Sequence, residues 1–362
     1  MHAEAALAAA EPYLTPLAVA DRAVLEANLA RMAALAAGAG LRLRPHAKTH
    51  KSAWVAQRQM AHGAVGITAA TLVEAEAFAA AGVEDILVAH PPAGEAKLRR
   101  LAALARRVPR LAVALDSVEL ALQLPSAVEV MWEVDTGLHR VGTAPGAPTA
   151  EAVVDLVRAL PGDRFRGLLT HAGQAYQGDR AGAAREEWSG LAESAAELRS
   201  RGVEVRVLSV GSTPTAAFAP EAAAGGTTEM RPGTYVYGDA NQVALGSQSL
   251  EECALGVVAT VVSTPGPDRR VLDAGSKALS ADLRVPGLNG FGIVLGHPEL
   301  VVERLNEEHA VVTGPADLRV GDRVVVIPAH VCTAVNLHPA VLFYGDGEAG
   351  WDPVVARGWQ PA

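Results

Sequence analysis

The sequence is short of cysteine, of basic charge and of long hydrophobic runs, and each shortage excludes a class of protein. Among its 362 residues only Cys253 and Cys332 are cysteines, which argues against a disulfide-stabilised scaffold and makes a reducing cytoplasm the expected location. The formal net charge of −9 argues against nucleic-acid and anionic-membrane partners. No apolar run is long enough to span a bilayer, and the alanine-rich N-terminus lacks the basic start of a signal peptide.

What the chain does contain is a regular alternation of apolar strands and alanine-rich helices from about residue 20 to residue 240. Near-continuous apolar strands alternating with helices predict a parallel sheet, and eight such units predict a (β/α)₈ barrel. An open, doubly wound sheet is the alternative, but it usually has fewer units and a glycine-rich first turn, which we do not find. The eight predicted strands are 41–48, 63–70, 85–91, 110–117, 128–136, 164–172, 205–212 and 228–238.

The pattern of apolar and turn-forming residues changes after about residue 245. Runs such as LGVVATVVST and LRVGDRVVVIPAHVCTAV are separated by Gly, Pro and Asp turns, and no long amphipathic helix pattern appears. The length of the chain also exceeds what one ordinary core needs. We therefore predict a barrel over residues 20–245 and an all-β domain over residues 246–362, which residues 1–19 join.

Polar side chains gather at the C-terminal ends of the predicted strands, where (β/α)₈ barrels carry their active sites. Strand ends are also commonly exposed to solvent, and solvent exposure alone would explain one or two such polar residues. It does not explain an amine, imidazoles, a guanidinium and an amide-rich turn on one rim. These residues are Lys48, Thr68, His90, Asp135, Arg140, His171, Tyr176, Gly211-Ser212-Thr213 and Arg231.

The residue types at this rim suggest a cofactor. A partly desolvated lysine beside other cationic groups, such as Lys48 in PHAKTHK, can form a Schiff base. The turn SVGSTPT offers backbone N–H groups and hydroxyls to a phosphate. A lysine and a phosphate site on one rim fit pyridoxal phosphate, and they also fit an aldolase that forms a Schiff base directly with a sugar phosphate. His46 and His50 would support Lys48 from the surrounding layer.

The motifs PHAKTHK, VDTGLHRVG, THAGQAY, SVGSTPT, EMRPGTYVYGD, LDAGSKALSAD, NEEHAVV and PAHVCTAVNL together resemble the D-serine dehydratase and D-threonine aldolase family. This family consists of fold-type III pyridoxal-phosphate enzymes with an alanine racemase-like barrel. The resemblance implies that Lys48 binds the cofactor and acts in catalysis with Tyr176, and that Arg140 lies near the cofactor ring. It also implies cofactor contacts from Gly211, Ser212, Thr213, Arg231 and Tyr235.

The segment PAHVC bears on the reaction. His330 and Cys332 are two positions apart and would leave the same face of a strand, where nitrogen and sulfur favour Zn²⁺ or another divalent cation. The spacing alone also fits a buried thiol beside an unrelated histidine. By resemblance, His-x-Cys is typical of the dehydratase branch and His-x-Asp of the aldolases. His309 is either a second group near the metal or a buried histidine.

The resemblance therefore implies a lyase that dehydrates D-serine or D-threo-3-hydroxyaspartate to a 2-oxo acid and ammonia. Retro-aldol cleavage of D-threonine-like substrates to glycine and an aldehyde is the alternative. A racemase would leave the His-x-Cys pair without a role, and a non-catalytic pyridoxal-phosphate carrier would lack the β domain. The resemblance also implies a homodimer acting on a small D-amino acid. The sequence assigns no chemistry to Asp273, Lys277 or Asp282.

Overall fold

The computed structural model of the chain describes residues 1–282, 284–345 and 349–358. Within these ranges no helix combines the length and the apolar character needed to cross a membrane. The described residues form two compact units that interleave along the chain. The barrel unit contains Met32–Lys48 and Ala53–Gly233, and the β unit contains Met1–Arg31, Thr49–Ser52 and the described residues from Thr234 onward.

The described residues contain seventeen strands and twelve α-helices. The strands are β1 (Leu17–Asp21), β2 (Arg42–Leu43), β3 (Ile67–Ala69), β4 (Asp85–Val88), β5 (Arg110–Leu115), β6 (Val128–Glu133), β7 (Phe165–Leu169), β8 (Val207–Val210), β9 (Glu229–Met230), β10 (Leu255–Gly266), β11 (Arg269–Leu272), β12 (Gly292–Val294), β13 (Val301–Leu305), β14 (Ala310–Thr313), β15 (Arg323–Pro328), β16 (Ala340–Tyr344) and β17 (Gly350–Pro353). The helices are α1 (Ala3–Ala10), α2 (Arg22–Gly38), α3 (Ala53–Ala61), α4 (Leu72–Ala80), α5 (Glu95–Ala105), α6 (Val118–Gln123), α7 (Ala147–Ala159), α8 (Arg180–Ser200), α9 (Ala219–Ala224), α10 (Ala240–Ala244), α11 (Ser276–Leu279) and α12 (Val331–Leu337).

Strands β2 to β9 form one eight-stranded parallel sheet in the order β2-β9-β8-β7-β6-β5-β4-β3. The two ends of this order meet, because His46 and Thr68 form a parallel bridge and Thr68 N–H donates to the Pro45 carbonyl at 2.8 Å. The predicted (β/α)₈ barrel is therefore confirmed, and each of the eight predicted runs contains one strand.

The first and last barrel strands are shorter than the sequence predicts. Strand β2 has two residues and β9 has two, whereas the predicted runs have eight and eleven. Pro45 and Pro232 follow these strands closely, and a proline has no N–H to donate to a ladder. The chain therefore leaves regular pairing before it reaches the rim.

The inside of the barrel has an apolar layer and a charged layer. The apolar layer consists of Leu87, Ala112, Ala114, Met131, Leu169 and Val207. The charged layer is centred on Arg44, which is 1% exposed and donates to Glu229 Oε2 at 2.9 Å and to Asp85 Oδ1 at 2.6 Å. A buried guanidinium is tolerated because two carboxylates satisfy it, so this layer links the strand regions of β2, β4 and β9.

The β unit contains a nine-stranded sheet built mostly from antiparallel pairs. Strand β1 joins it by pairing antiparallel with β10 and parallel with β16. Apolar residues of β10, β14 and β15 form one core, and Val19, Leu342 and Ile327 lie in a second core with residues of α1. The unit is not purely β, because the short helices α10, α11 and α12 also belong to it.

Candidate active site

A cavity of about 260 Å³ opens in the barrel unit at the C-terminal ends of the strands. Most of its polar lining comes from residues just beyond or at the ends of different strands, which is where barrel enzymes place their chemistry. The lining residues are His46, Lys48, Thr68, Ala70, Leu87, Ala89, His90, Pro91, Glu133, Arg140, Val141, Leu169, His171, Gly211 and Arg231. Of the residues expected at the rim from the sequence, the structure thus brings together Lys48, Thr68, His90, Arg140, His171, Gly211 and Arg231.

Lys48 lies in a short 3₁₀ turn, Ala47–Thr49, rather than on a strand. The turn follows the bridge that His46 makes with Thr68, which closes the barrel at this point. Lys48 is partly exposed and lines the cavity. Its backbone position is therefore fixed by barrel closure, while its amine remains accessible from the cavity.

Two imidazoles face the same cavity, and both are held neutral. Burial, followed by the positive charge of Lys48, keeps the pKa of His46 well below its usual range. The same two causes lower the pKa of His171 to about 3. His171 donates from Nδ1 to the Gly211 carbonyl at 2.9 Å, whereas the buried Nδ1 of His46 has no hydrogen-bond partner in the structure.

Glu133 is a lining residue that the sequence reading missed. It is the last residue of β6, it is buried, and Arg140 Nη2 lies 3.4 Å from its Oε1. Burial raises the pKa of Glu133, although Arg140 and Arg231 pull it down. The available signal is the second of two glutamates in the run VEVMWE, but the predicted strand continues to residue 136, which draws attention to Asp135 instead. Asp135 accepts backbone N–H groups of Gly137 and His139 and shapes the turn before Arg140.

Gly211 and Arg231 meet at the ends of β8 and β9. A Cβ atom on Gly211, which has φ of +142°, would lie 2.5 Å from the backbone nitrogen of Arg231, so only glycine allows this approach. The buried guanidinium of Arg231 donates to the Thr170 carbonyl and to the Ser209 hydroxyl. These bonds hold the ends of β7, β8 and β9 together beneath the cavity.

Four residues expected at the cofactor are not among those that line this cavity. Ser212 and Thr213 follow Gly211 directly and are buried. Tyr176 is partly buried in the 3₁₀ segment Gly173–Gln177. Tyr235 is buried in the 3₁₀ segment Thr234–Val236, which belongs to the β unit.

The predicted metal pair lies in the β unit, but on a helix rather than on a strand. Strand β15 ends at Pro328, His330 is the N-cap residue of α12, and Cys332 lies in its first turn. The expectation of a shared strand face was therefore wrong. The side chains of His330 and Cys332 nevertheless come within hydrogen-bond reach of each other.

The surroundings of this pair fit a metal ligand set. His330 donates from Nδ1 to Asp282 Oδ2 at 2.8 Å, which leaves Nε2 as the ligand atom. The Cys332 sulfur lies 3.1 Å from the Thr49 hydroxyl and 3.7 Å from the Thr234 hydroxyl. Among the residues that the structure describes, no group of three or more His, Cys, Asp and Glu side chains is arranged to hold an ion. Two protein ligands would leave positions for water or substrate.

The barrel cavity likewise fits pyridoxal phosphate by its donor set. It combines an amine, a neutral imidazole with an unpartnered buried nitrogen, the buried guanidinium of Arg231 and the half-exposed guanidinium of Arg140, and its volume suits a small aromatic ligand. The other residues of the family motifs lie elsewhere in the β unit. Asp273 accepts from Thr15 Oγ1 at 2.6 Å and from Thr260 N–H at 2.7 Å, Lys277 pairs with Glu307 and Glu308, and His309 is exposed rather than buried.

Two domain profiles match the chain in succession. The profile of the alanine racemase N-terminal domain matches residues 20–241, and that of the serine dehydratase domain matches residues 254–344.

Similar proteins cover nearly the whole chain. D-threonine aldolase from Arthrobacter sp is 36% identical over 95% of this chain and 93% of its own length. D-threo-3-hydroxyaspartate dehydratase from Delftia sp. (strain HT23) is 37% identical over 90% of this chain and 93% of its own. A solved structure of a cysteine-to-alanine mutant of D-threo-3-hydroxyaspartate dehydratase, in the metal-free form, has a TM-score of 0.86 and 35% identity, and the match covers 96% of this chain and 98% of that one.

Proposed function

The chain belongs to the family of pyridoxal-phosphate-dependent lyases that join an alanine racemase N-terminal domain to a serine dehydratase domain, and on that premise we propose that it dehydrates a D-β-hydroxy amino acid. The substrate is D-serine or D-threo-3-hydroxyaspartate, and the products are a 2-oxo acid and ammonia. The observation that carries the proposal is the rim cavity, which Lys48 lines together with two neutral imidazoles, the buried guanidinium of Arg231 and the half-exposed guanidinium of Arg140.

The residues divide into two binding sets. The first set would hold pyridoxal phosphate and consists of Lys48, Arg140, Tyr176, Gly211, Ser212, Thr213, Arg231 and Tyr235. The second set, His330 and Cys332, would hold Zn²⁺ or another divalent cation. When bound, the cofactor supplies an electron sink for negative charge at Cα and the cation supplies a Lewis acid for the β-hydroxyl. Lys48 Nζ takes the proton from the substrate Cα as general base. His171 donates from Nδ1 to the Gly211 carbonyl, and because burial and the charge of Lys48 lower its pKa to about 3, its unprotonated Nε2 is a weak base that does not compete for that proton.

By the family resemblance, Cys332 favours dehydration over retro-aldol cleavage, because His-x-Cys is typical of the dehydratase branch and His-x-Asp of the aldolases. The aldolase reaction is kept as the second candidate because of the 36% identity to D-threonine aldolase. Both reactions begin with a D-β-hydroxy amino acid, so they differ in the bond that breaks at Cβ. We further propose that the protein acts as a homodimer in the cytoplasm.

The test is a product assay of the holoenzyme with D-serine, D-threo-3-hydroxyaspartate and D-threonine. We expect ammonia and a 2-oxo acid in equal amounts. Glycine and an aldehyde would overturn the dehydratase assignment in favour of the aldolase, and the absence of both product pairs with all three substrates would overturn the lyase assignment.

Two matched variant pairs and a chelator test the residue roles. Lys48→Ala should lose the visible absorbance of lysine-bound cofactor and lose activity by at least about a thousandfold, whereas the exposed control Lys97→Ala should retain both.

Cys332→Ala and EDTA treatment should each remove the bound metal and abolish activity, whereas Cys253→Ala should keep both the metal and the activity. Full activity after verified metal removal would contradict the metal role.

A further inference from the structure

Glu187 is a buried carboxylate that the proposed reaction does not use. It lies on the inward face of α8, among the buried residues Ala183, Ala184, Gly190, Leu191 and Ser194. Its exposed fraction is 2%, and burial raises the pKa of its carboxyl to about 7. An uncharged side chain would fill this position without that desolvation penalty, so packing alone does not account for a carboxylate here.

The carboxylate connects two barrel strands beyond their last regular hydrogen bond. Thr170 N–H donates to the Ser209 carbonyl at 3.1 Å, which is the final rung between the β7 and β8 segments. Past that rung, one oxygen of Glu187 accepts both Ala172 N–H and Gly211 N–H, each at 2.9 Å. Glu187 thus replaces the rung that the diverging strands no longer make.

Ala172 and Gly211, the two residues that Glu187 holds, adjoin groups that line the cavity. Ala172 follows His171, and His171 donates to the Gly211 carbonyl at 2.9 Å. Gly211 itself lines the cavity and begins the Gly211-Ser212-Thr213 turn. The Thr215 hydroxyl just after the turn lies near the Glu187 carboxylate and opposes the rise of its pKa. A single side chain therefore anchors both the residue that follows His171 and the first residue of the Gly211-Ser212-Thr213 turn.

We propose that Glu187 is a positioning residue for the cofactor site, which holds His171 and the Gly211-Ser212-Thr213 turn in the arrangement that binds pyridoxal phosphate. This inference rests on the proposed function. It also has a structural consequence. The N–H of Gly211 is already used by Glu187, so the donors that the turn offers to a phosphate begin at Ser212.

The experiment measures the affinity of the apoenzyme for pyridoxal phosphate in Glu187→Gln, Glu187→Asp and Glu187→Leu. Gln keeps an oxygen acceptor at the same reach and should bind within about threefold of the wild type. Leu leaves two N–H groups without an acceptor and should weaken binding at least about tenfold, with a changed absorbance of the lysine-bound cofactor. Asp keeps the charge but is one methylene too short, so it should resemble Leu more than Gln.

Glu197→Gln and Glu197→Leu are the matched controls, because Glu197 lies on the same helix with its side chain 45% exposed. They should bind the cofactor as the wild type does. If Leu does not fold, the comparison of Asp with Gln decides the result. Wild-type affinity and spectrum in Glu187→Asp would overturn the proposal. Failure of the wild-type apoenzyme to bind pyridoxal phosphate would instead overturn the proposed function.

Discussion

Asp282 and His330 form a contact at the scale of single residues that the sequence did not predict. They are 48 positions apart, and the Asp282 carboxylate accepts the Nδ1 proton of His330 at 2.8 Å. A carboxylate in this position fixes the tautomer and the orientation of the imidazole. Asp282 recurs in a family motif, and this hydrogen bond gives it a physical role.

We predict that Asp282→Asn weakens Zn²⁺ binding by about 10- to 100-fold, because the amide orients the imidazole less strongly than the carboxylate does. The dissociation constant would be measured by competition with a chromophoric chelator. Asp317→Asn is the control, since the Asp317 side chain in the same unit is 91% exposed. Equal Zn²⁺ affinity in the two variants would remove the role assigned to Asp282.

The sequence identified the titratable residues at the rim more readily than their partners. Lys48, His171 and Arg231 stand out because a charge or imidazole at the end of an apolar run is visible without a structure. Glu133 and Glu187 do not stand out, because one lies within a strand and the other within a helix of ordinary composition. Their partners lie in loops or at strand ends that come close only when the chain folds.

At the scale of elements, the close approach of β8 and β9 depends on one glycine. Gly211 has φ of +142° and faces the backbone of Arg231, and any side chain would meet that backbone rather than a movable side chain. Bending the backbone away would disturb both the Glu187 contact and the His171 hydrogen bond. The geometry of the turn is thus set by backbone proximity.

We predict that Gly211→Ala lowers the free energy of unfolding by about 2 kcal/mol more than Gly202→Ala does. Gly202 also has positive φ, at +77°, but a Cβ there would meet no atom within 4 Å, so the control carries only the conformational strain. Urea denaturation of the two apoenzymes measures the difference. Similar losses would show that contact with Arg231 does not constrain position 211.

Element prediction was accurate for the regular part of the barrel and failed at its ends and at the metal pair. Strands with continuous apolar runs, such as β5 and β6, were found because burial on both faces leaves a clear pattern. The PAHVC segment continues the apolar run of β15, and the sequence therefore predicts a strand there. In the structure, the run ends at Pro328 and α12 begins after the cap residue His330.

At the scale of the whole molecule, the family resemblance implies a homodimer. We predict that light scattering on the eluting holoenzyme gives twice the chain mass of 37.4 kDa. Chelator-treated protein is the control, because a metal held within one chain should not alter the subunit count. A mass of one chain at every concentration tested would contradict the dimer.

By itself, the sequence determined the barrel, the β-rich remainder and the family, and it singled out Lys48 and the His330–Cys332 pair as candidate site residues. These follow from periodicity and from motifs, which are local properties of the chain. Only the tertiary structure decided that Glu133 and Arg140 face each other, that Asp282 orients His330, and that Glu187 joins β7 to β8. Such contacts join residues that are distant in sequence or lie on different elements, and closing the chain into its sheets is what brings their atoms within hydrogen-bond distance.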